Sequence, residues 1–258
     1  MDLELSGQRV IVTGAAAGIG LSIARAFAGE GAAVIVCDTD PAALAALPET
    51  APGVRGFPCD VADRDAAGGF MAEALKSLGG LDTLVNNAGI AGPTGAIEDI
   101  PPEAWDRCLS VCLTGQFNIT RLAVPALKAS PNPSIVNISS MAGRVGFGLR
   151  SPYAAAKWGV IGFTKSLAIE LGHDGIRANA ILPGLVAGER QRRVLEAKAK
   201  RLGKSYAEVE AQAFSYTSIK DYVRPEEIAD QALYLASGRG RTISGQAISV
   251  CGDTQMLA

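Results

Sequence analysis

The stretch RVIVTGAAAGIGLSIARAFAG, residues 9–29, decides the fold. Its first five residues form a short apolar, β-branched run, the pattern of a strand covered on both faces. A glycine turn follows at once, with Gly14, Gly18 and Gly20 spaced G-x-x-x-G-x-G. Residues 18–29 then carry a helical pattern. Strand, glycine turn and helix in that order open a βαβ unit, whose sheet is parallel. Glycines let the backbone turn sharply and approach a pyrophosphate, whose charge the helix N-terminus stabilises. A tight turn that binds nothing has the same composition, so the surroundings must decide.

Further apolar runs lie at residues 33–37, 54–58, 82–86, 134–139, 177–182 and 247–250. Helical patterns fill the gaps, among them 63–78, 103–128 and 153–171. This alternation predicts an α/β fold: a Rossmann-type doubly wound parallel sheet of about seven strands, flanked by helices, in a single domain over residues 1–258. Ligands of such sheets bind at the carboxyl ends of the strands. Asp38 stands at one of these ends, 18 residues after Gly20. An acid there accepts hydrogen bonds from an adenosine ribose and repels a 2′-phosphate, and no nearby cation offsets it. NAD is the expected cofactor, rather than NADP. A cap for a helix starting at Pro41 is the plainer use of Asp38. Residues 188–223 interrupt the alternation with a charged, helix-prone insertion at the end of the sixth strand, where a substrate lid is expected.

The composition narrows the classes. Of 258 residues, 48% are apolar and 19% charged, the balance of a compact globule. With 24 basic and 26 acidic residues the net charge is −2, which gives no support to nucleic-acid binding. No apolar run reaches membrane-spanning length. The opening MDLELSGQRVIVTG lacks the charged start and cleavage site of a secretory signal, so the expected location is cytoplasmic. The cysteines, Cys37, Cys59, Cys108, Cys112 and Cys251, form no C-x-x-C pair and the sole histidine is far away in sequence, so no metal site is expected. The sole histidine, His173, falls in a helix-to-strand connection and reads as a solvated loop residue.

The segment RSPYAAAKWGV, residues 150–160, carries the chemistry. Ser151 and Pro152 suit a helix start, with Ser151 as its cap. Tyr153 and Lys157, at i and i+4, then share one helix face.

The chain resembles the classical short-chain dehydrogenase/reductases over nearly its whole length. TGAAAGIG matches their cofactor loop, CDV at 59–61 the adenine segment, and NNAG at 86–89 the loop after the fourth strand. ISS with YAAAK matches their catalytic Ser, Tyr and Lys, and LPG at 182–184 the nicotinamide-side loop. The resemblance implies Ser140, Tyr153 and Lys157 as the catalytic residues. It implies cofactor binding by Gly14, Ala17, Gly18, Ile19, Gly20, Asp38, Asp60, Val61, Asn87, Gly89, Tyr153, Lys157, Pro183, Gly184 and Val186. Ser139 is expected to pack against neighbouring backbone. A free tyrosine has a pKa of about 10; an ammonium and a cationic nicotinamide ring nearby favour the phenolate. Tyr153 then takes the alcohol proton as hydride leaves for NAD, Ser140 holds the substrate oxygen, and Lys157 binds the nicotinamide ribose.

The implied activity is NAD-dependent interconversion of a secondary alcohol (polyol, sugar or hydroxy acid) and its ketone. Two other readings stay open: an NADP-linked 3-oxoacyl carrier reductase, and an NAD-binding regulatory protein without turnover. Arg144, Phe147 and Arg150 are the candidate substrate-pocket residues. Arg150 is expected at the pocket mouth, where an arginine would pair with a carboxylate or sulfonate, with Arg190, Arg192 and Arg193 adding to it from the lid; the equal alternative is that these arginines are solvated or bridge subunits. Members are commonly homotetramers, and the apolar helix at 158–171 is a candidate interface. Two departures stand out: Cys112, in VCLTG, replaces the asparagine that members use to anchor a relay water, and Gly188 replaces a threonine.

Overall fold

The computed structural model describes residues 2–257. The elements run β1 Arg9–Thr13, α1 Gly18–Gly29, β2 Ala33–Asp38, α2 Pro41–Ala45, α3 Leu47–Thr50, β3 Arg55–Pro58, α4 Arg64–Leu78, β4 Thr83–Asn86, α5 Pro102–Leu109, α6 Gly115–Leu127, β5 Ser134–Ile138, α7 Ser151–Leu171, β6 Arg177–Pro183, α8 Glu189–Leu202, α9 Tyr206–Ser215, α10 Pro225–Ala236 and β7 Ala247–Val250. The seven strands form one parallel sheet in the order β3-β2-β1-β4-β5-β6-β7. Each lies within a residue, at either end, of its position in the sequence reading.

The apolar runs are continuous because both faces of the sheet are covered. Val10 and Val12 point to the layer of α1 and α10, with Ile23, Phe27, Ile228 and Leu233. Ile11 points to the opposite layer, with Phe70 and Met71 of α4, Ile119 of α6 and Leu167 of α7. Alternation still holds along the strand, but both sets are apolar. Burying each such side chain contributes roughly 1.5–3 kcal/mol. The strand order reverses between β1 and β4, which opens a crevice at their carboxyl ends.

Two local features depart from the sequence reading, and one alternative weighed in it, Asp38 as a helix cap, is ruled out. The pattern at 103–128 is not one helix: α5 and α6 are joined by a single π-helical turn, Ser110–Thr114, centred on Cys112. The cap before Pro41 is Asp40, whose carboxylate accepts from Ala42 N and Ala43 N at 3.0 Å each, and not Asp38. Helix α7 begins at Ser151 itself, so Arg150 occupies the cap position and Ser151 caps nothing through its side chain. Ser151 Oγ is instead buried without a partner among the described residues. The insertion at 188–223 folds as α8 and α9, and α9 is closed by a Ser205–Glu208 capping box. These helices pack on each other through Leu195, Ala199 and Val209.

Candidate active site

The candidate site is built at the carboxyl ends of β1, β2, β4, β5 and β6. Beyond β1, Gly14 has φ +60°, and a Cβ there would lie 2.6 Å from Ala88 Cα. Only glycine lets the loop after β4 close onto this turn. Asn87 fastens the two: its Nδ2 donates to the carbonyls of Thr13 (3.0 Å) and Gly14 (2.6 Å). Gly18, at φ +57°, faces open space. Helix α1 has no side-chain cap and no acid in its first turn, so among the described residues its leading N–H groups have no anionic partner. An uncapped helix N-terminus over an open glycine turn fits a dinucleotide pyrophosphate.

Asp38 lies where the sequence puts it, at the end of β2, and it does more than expected. Its Oδ2 accepts from Ala16 N (3.0 Å), and its Oδ1 from Thr39 N (2.7 Å) and Asp40 N (3.2 Å). The carboxylate therefore ties β2 to the glycine turn. Asp60 accepts from Ala62 N at 3.0 Å and pairs with Arg107 at 2.7 Å, a partner the sequence reading missed. The carbonyl of Val61 accepts from buried Asn118 at 3.0 Å. Across the crevice, Pro183 ends β6, Gly184 N donates to Val250 O at 3.0 Å, and Val186 bridges to Val223.

The turn after β5 and the start of α7 are pressed together. Ser139 Oγ donates to the Lys157 carbonyl at 2.8 Å, and a Cβ on Gly143 would lie 2.5 Å from that same oxygen. Ser140 Oγ accepts from Ala142 N at 3.1 Å, which fixes its rotamer at the strand end. Lys157 is buried and donates to the Ile138 carbonyl at 2.7 Å. Its Nζ lies 5.7 Å from the centre of the Tyr153 ring. Beneath them, Asn86 donates to Thr120 and Asn137, and Asn137 to Thr164, each at 2.9 Å. Buried amides so paired hold β4, β5, α6 and α7 in fixed register.

The pocket residues divide. Arg150 is buried, not at a mouth, with its guanidinium 5.3 Å from both the Phe147 and Tyr153 ring centres. Phe147, Tyr153 and the Ala91 carbonyl surround it, which a position three residues before Tyr153 does not reveal. Arg144 turns the other way and donates to Ser249 Oγ and the Ala247 carbonyl of β7. Of Arg190, Arg192 and Arg193 only Arg190 faces inward, 5.8 Å from the Tyr153 ring and bonded to Gly89 O at 3.1 Å. Arg192 and Arg193 form exposed i,i+4 pairs with Glu196 and Glu189. His173 is exposed beside Asp174. Lys198 was not singled out, yet it is buried over Phe147. Its signal was present: with Leu195 and Ala199 it marks the inward face of α8 at helical spacing.

Cys112 keeps the local geometry without an amide. Its Sγ accepts from Ile90 N and donates to Ile90 O, both at 3.4 Å, and the π-turn is intact. A hydrogen bond from the Cys108 thiol holds the Cys112 thiol below its usual range, with Lys157 adding to the effect. Because the turn forms with cysteine, Cys112→Asn is expected to change turnover by less than about tenfold, ~1.4 kcal/mol in the barrier. A larger gain, measured with the best substrate, would mean that the native relay is impaired.

Comparison with known proteins gives a consistent result. A family model described as enoyl-(acyl carrier protein) reductase matches residues 14–252. The D-beta-hydroxybutyrate dehydrogenase of Cupriavidus necator is 38% identical, over 93% of this chain and 95% of the relative. An actinorhodin polyketide ketoreductase solved with NADPH superposes with a TM-score of 0.91 at 34% identity, covering 96% of this chain and 97% of that one. An NAD+-bound xylitol dehydrogenase gives a TM-score of 0.91 at 28% identity, with coverage of 96% and 99%. With its parallel seven-stranded sheet and the Ser-Tyr-Lys segments at the strand ends, the chain belongs to the classical short-chain dehydrogenase/reductase family of oxidoreductases.

Proposed function

We propose that the protein is an NAD-dependent oxidoreductase that interconverts a secondary alcohol and its ketone, with Tyr153 as general acid and base. The observation that carries the reading is the apposition of Tyr153 and buried Lys157 on one face of α7, against the turn that bears Ser140. The nicotinamide cofactor, when bound, supplies hydride acceptance and donation. Gly14, Ala17, Gly18, Ile19 and Gly20 would hold its pyrophosphate, and Asp38 its adenosine ribose. Asp60 and Val61 would meet the adenine, and Asn87, Gly89, Lys157, Pro183, Gly184 and Val186 the nicotinamide half.

The chain's own part is positioning and proton transfer. Ser140 Oγ donates to the substrate oxygen and fixes it. Tyr153 Oη takes the carbinol proton in oxidation and returns it in reduction. Lys157, held by its bond to the Ile138 carbonyl, would bind the nicotinamide ribose. Helices α8 and α9 act as a lid that excludes water from the reacting centre.

The preference for NAD rests on Asp38, which meets ribose hydroxyls but repels a 2′-phosphate. The likeness to an NADPH-bound ketoreductase favours a second reading, an NADP-linked 3-oxoacyl reductase. A panel of secondary alcohols, polyols and hydroxy acids, followed by absorbance of the reduced cofactor, separates the two. NAD is expected to be used with at least about tenfold higher kcat/KM than NADP, because like charges set together cost several kcal/mol. Equal or better use of NADP would overturn the assignment in favour of the second reading. Turnover with any panel member removes a purely regulatory role.

A homotetramer is part of the proposal. Phe117 of α6 with Trp158 and Ile169 of α7 are exposed, although α7 also buries Val160, Leu167 and Leu171 against its own sheet. Among the described residues no helix is long and apolar enough to cross a membrane. A cytoplasmic location is proposed with it.

A further inference from the structure

Around Tyr153 the chain gathers more positive charge than proton transfer requires. Arg150 is 3% exposed and Lys198 is 7% exposed. The Arg150 Nη2 donates to the Ala91 carbonyl, but among the described residues its Nε and Nη1 have no partner, and neither has Lys198 Nζ. Both cations approach Phe147, its ring centre 5.3 Å from the guanidinium carbon and 5.7 Å from Nζ. Arg190 adds a third charge at the Tyr153 ring. Among the described residues none of the three forms an ion pair with a carboxylate, whereas Arg192, Arg193, Arg201 and Arg224 all do.

Such a group is unfavourable as pure architecture. A buried cation without a counter-charge destabilises the fold, and two side by side repel. Ring faces offset part of the penalty, yet they leave the three N–H-bearing nitrogens unsatisfied. Burial and the neighbouring Arg150 both push the Lys198 ammonium below its usual range, and burial does the same to Arg150. Strained polar groups of this kind persist where a ligand completes them.

We propose that Arg150 and Lys198, with Arg190 at the rim, form a subsite for a small oxyanion, the carboxylate or sulfonate of the substrate, so that the enzyme acts on short hydroxy acids in preference to neutral alcohols. This rests on the dehydrogenase reading above for the word substrate, but the anion site is separable from it. The site joins two elements: Arg150 opens α7 next to Tyr153, and Lys198 lies on the inward face of the lid helix α8. Both orphan groups are shut off from solvent, so the anion enters while α8 is lifted, and its charge then draws Lys198 down. Closure of the lid is thereby linked to an anion being present, and a neutral alcohol lacks that link.

The test uses calorimetric titration of the full chain with butyrate, propane-1-sulfonate and the neutral butyramide, each with and without nicotinamide cofactor. At least one anion is expected to bind tenfold or more tightly than butyramide, and the tighter anion tells carboxylate from sulfonate. Lys198→Met, which keeps the apolar stem on a peripheral helix, is expected to weaken anion binding by tenfold or more. Arg150→Met is expected to do the same, and Lys198→Met carries the test if the Arg150 variant folds poorly. Butyramide binding as tightly as both anions, or anion binding unchanged in Lys198→Met, would overturn the subsite. A parallel assay compares each hydroxy acid with its amide. Turnover of neutral alcohols without anion binding would refute the subsite and leave the dehydrogenase standing. Anion binding that depends on Lys198, with no alcohol oxidised, would support the subsite and refute the activity.

Discussion

Replacing Tyr153 by phenylalanine is expected to lower kcat by roughly 10²–10⁴-fold, the range that general acid–base catalysis supplies. The substitution deletes one oxygen and keeps the ring. The ring matters because Arg150, Lys157 and Arg190 all lie within 6 Å of its centre, so phenylalanine preserves the face on which these cations rest. Folding should therefore survive, as should cofactor binding, since Lys157 keeps its bond to Ile138 O and the glycine turn is untouched. The loss should appear in kcat and kcat/KM together, the pattern of an interaction made in the transition state. Near-normal turnover by a folded variant would remove Tyr153 from the mechanism.

The second large effect concerns Asp38. Its carboxylate organises the glycine turn through Ala16 N and is also the proposed partner of the adenosine ribose, so Asp38→Ala has two consequences. Catalytic efficiency with NAD is expected to fall roughly 10²-fold, since hydrogen bonds to a charged group contribute about 1.5–3 kcal/mol each. Efficiency with NADP should fall less or rise, because the repulsion of the 2′-phosphate is gone. The NADP-to-NAD ratio should thus climb by about 10²-fold. Asp38→Asn helps separate the two causes: it removes the charge but keeps one of the two acceptor oxygens, so the ratio shifts with less loss of stability than in Asp38→Ala. A ratio that does not move in either variant would mean that Asp38 only braces the turn.

What the sequence disclosed followed physical lines. Strand positions were legible because burial on both faces leaves unbroken apolar runs such as RVIVT and AVIVC. The glycine turn, Asp38 and the Tyr153–Lys157 pair were legible because their chemistry depends on spacing along one element. Features that depend on which neighbour covers a residue were not. Arg150 reads as a pocket-mouth charge until its burial against Phe147 and Tyr153 is seen, and Arg144 and Arg150 look equivalent until one turns to β7. The π-turn at Cys112 was hidden because a one-residue widening barely alters helical periodicity. Asn86, Asn137 and Thr164 look like ordinary polar interruptions until their buried network is traced.

The central claim is hydride transfer from a secondary alcohol to NAD, and isotope transfer tests it most directly. The best substrate of the panel is prepared with deuterium on its carbinol carbon, and the reduced cofactor is examined by NMR and mass spectrometry. The account predicts one deuterium at C4 of the nicotinamide for each ketone formed, in wild-type protein, with the rate abolished or nearly so in Tyr153→Phe. Reduced cofactor without deuterium, or no reduction of NAD by any alcohol of the panel, would contradict it.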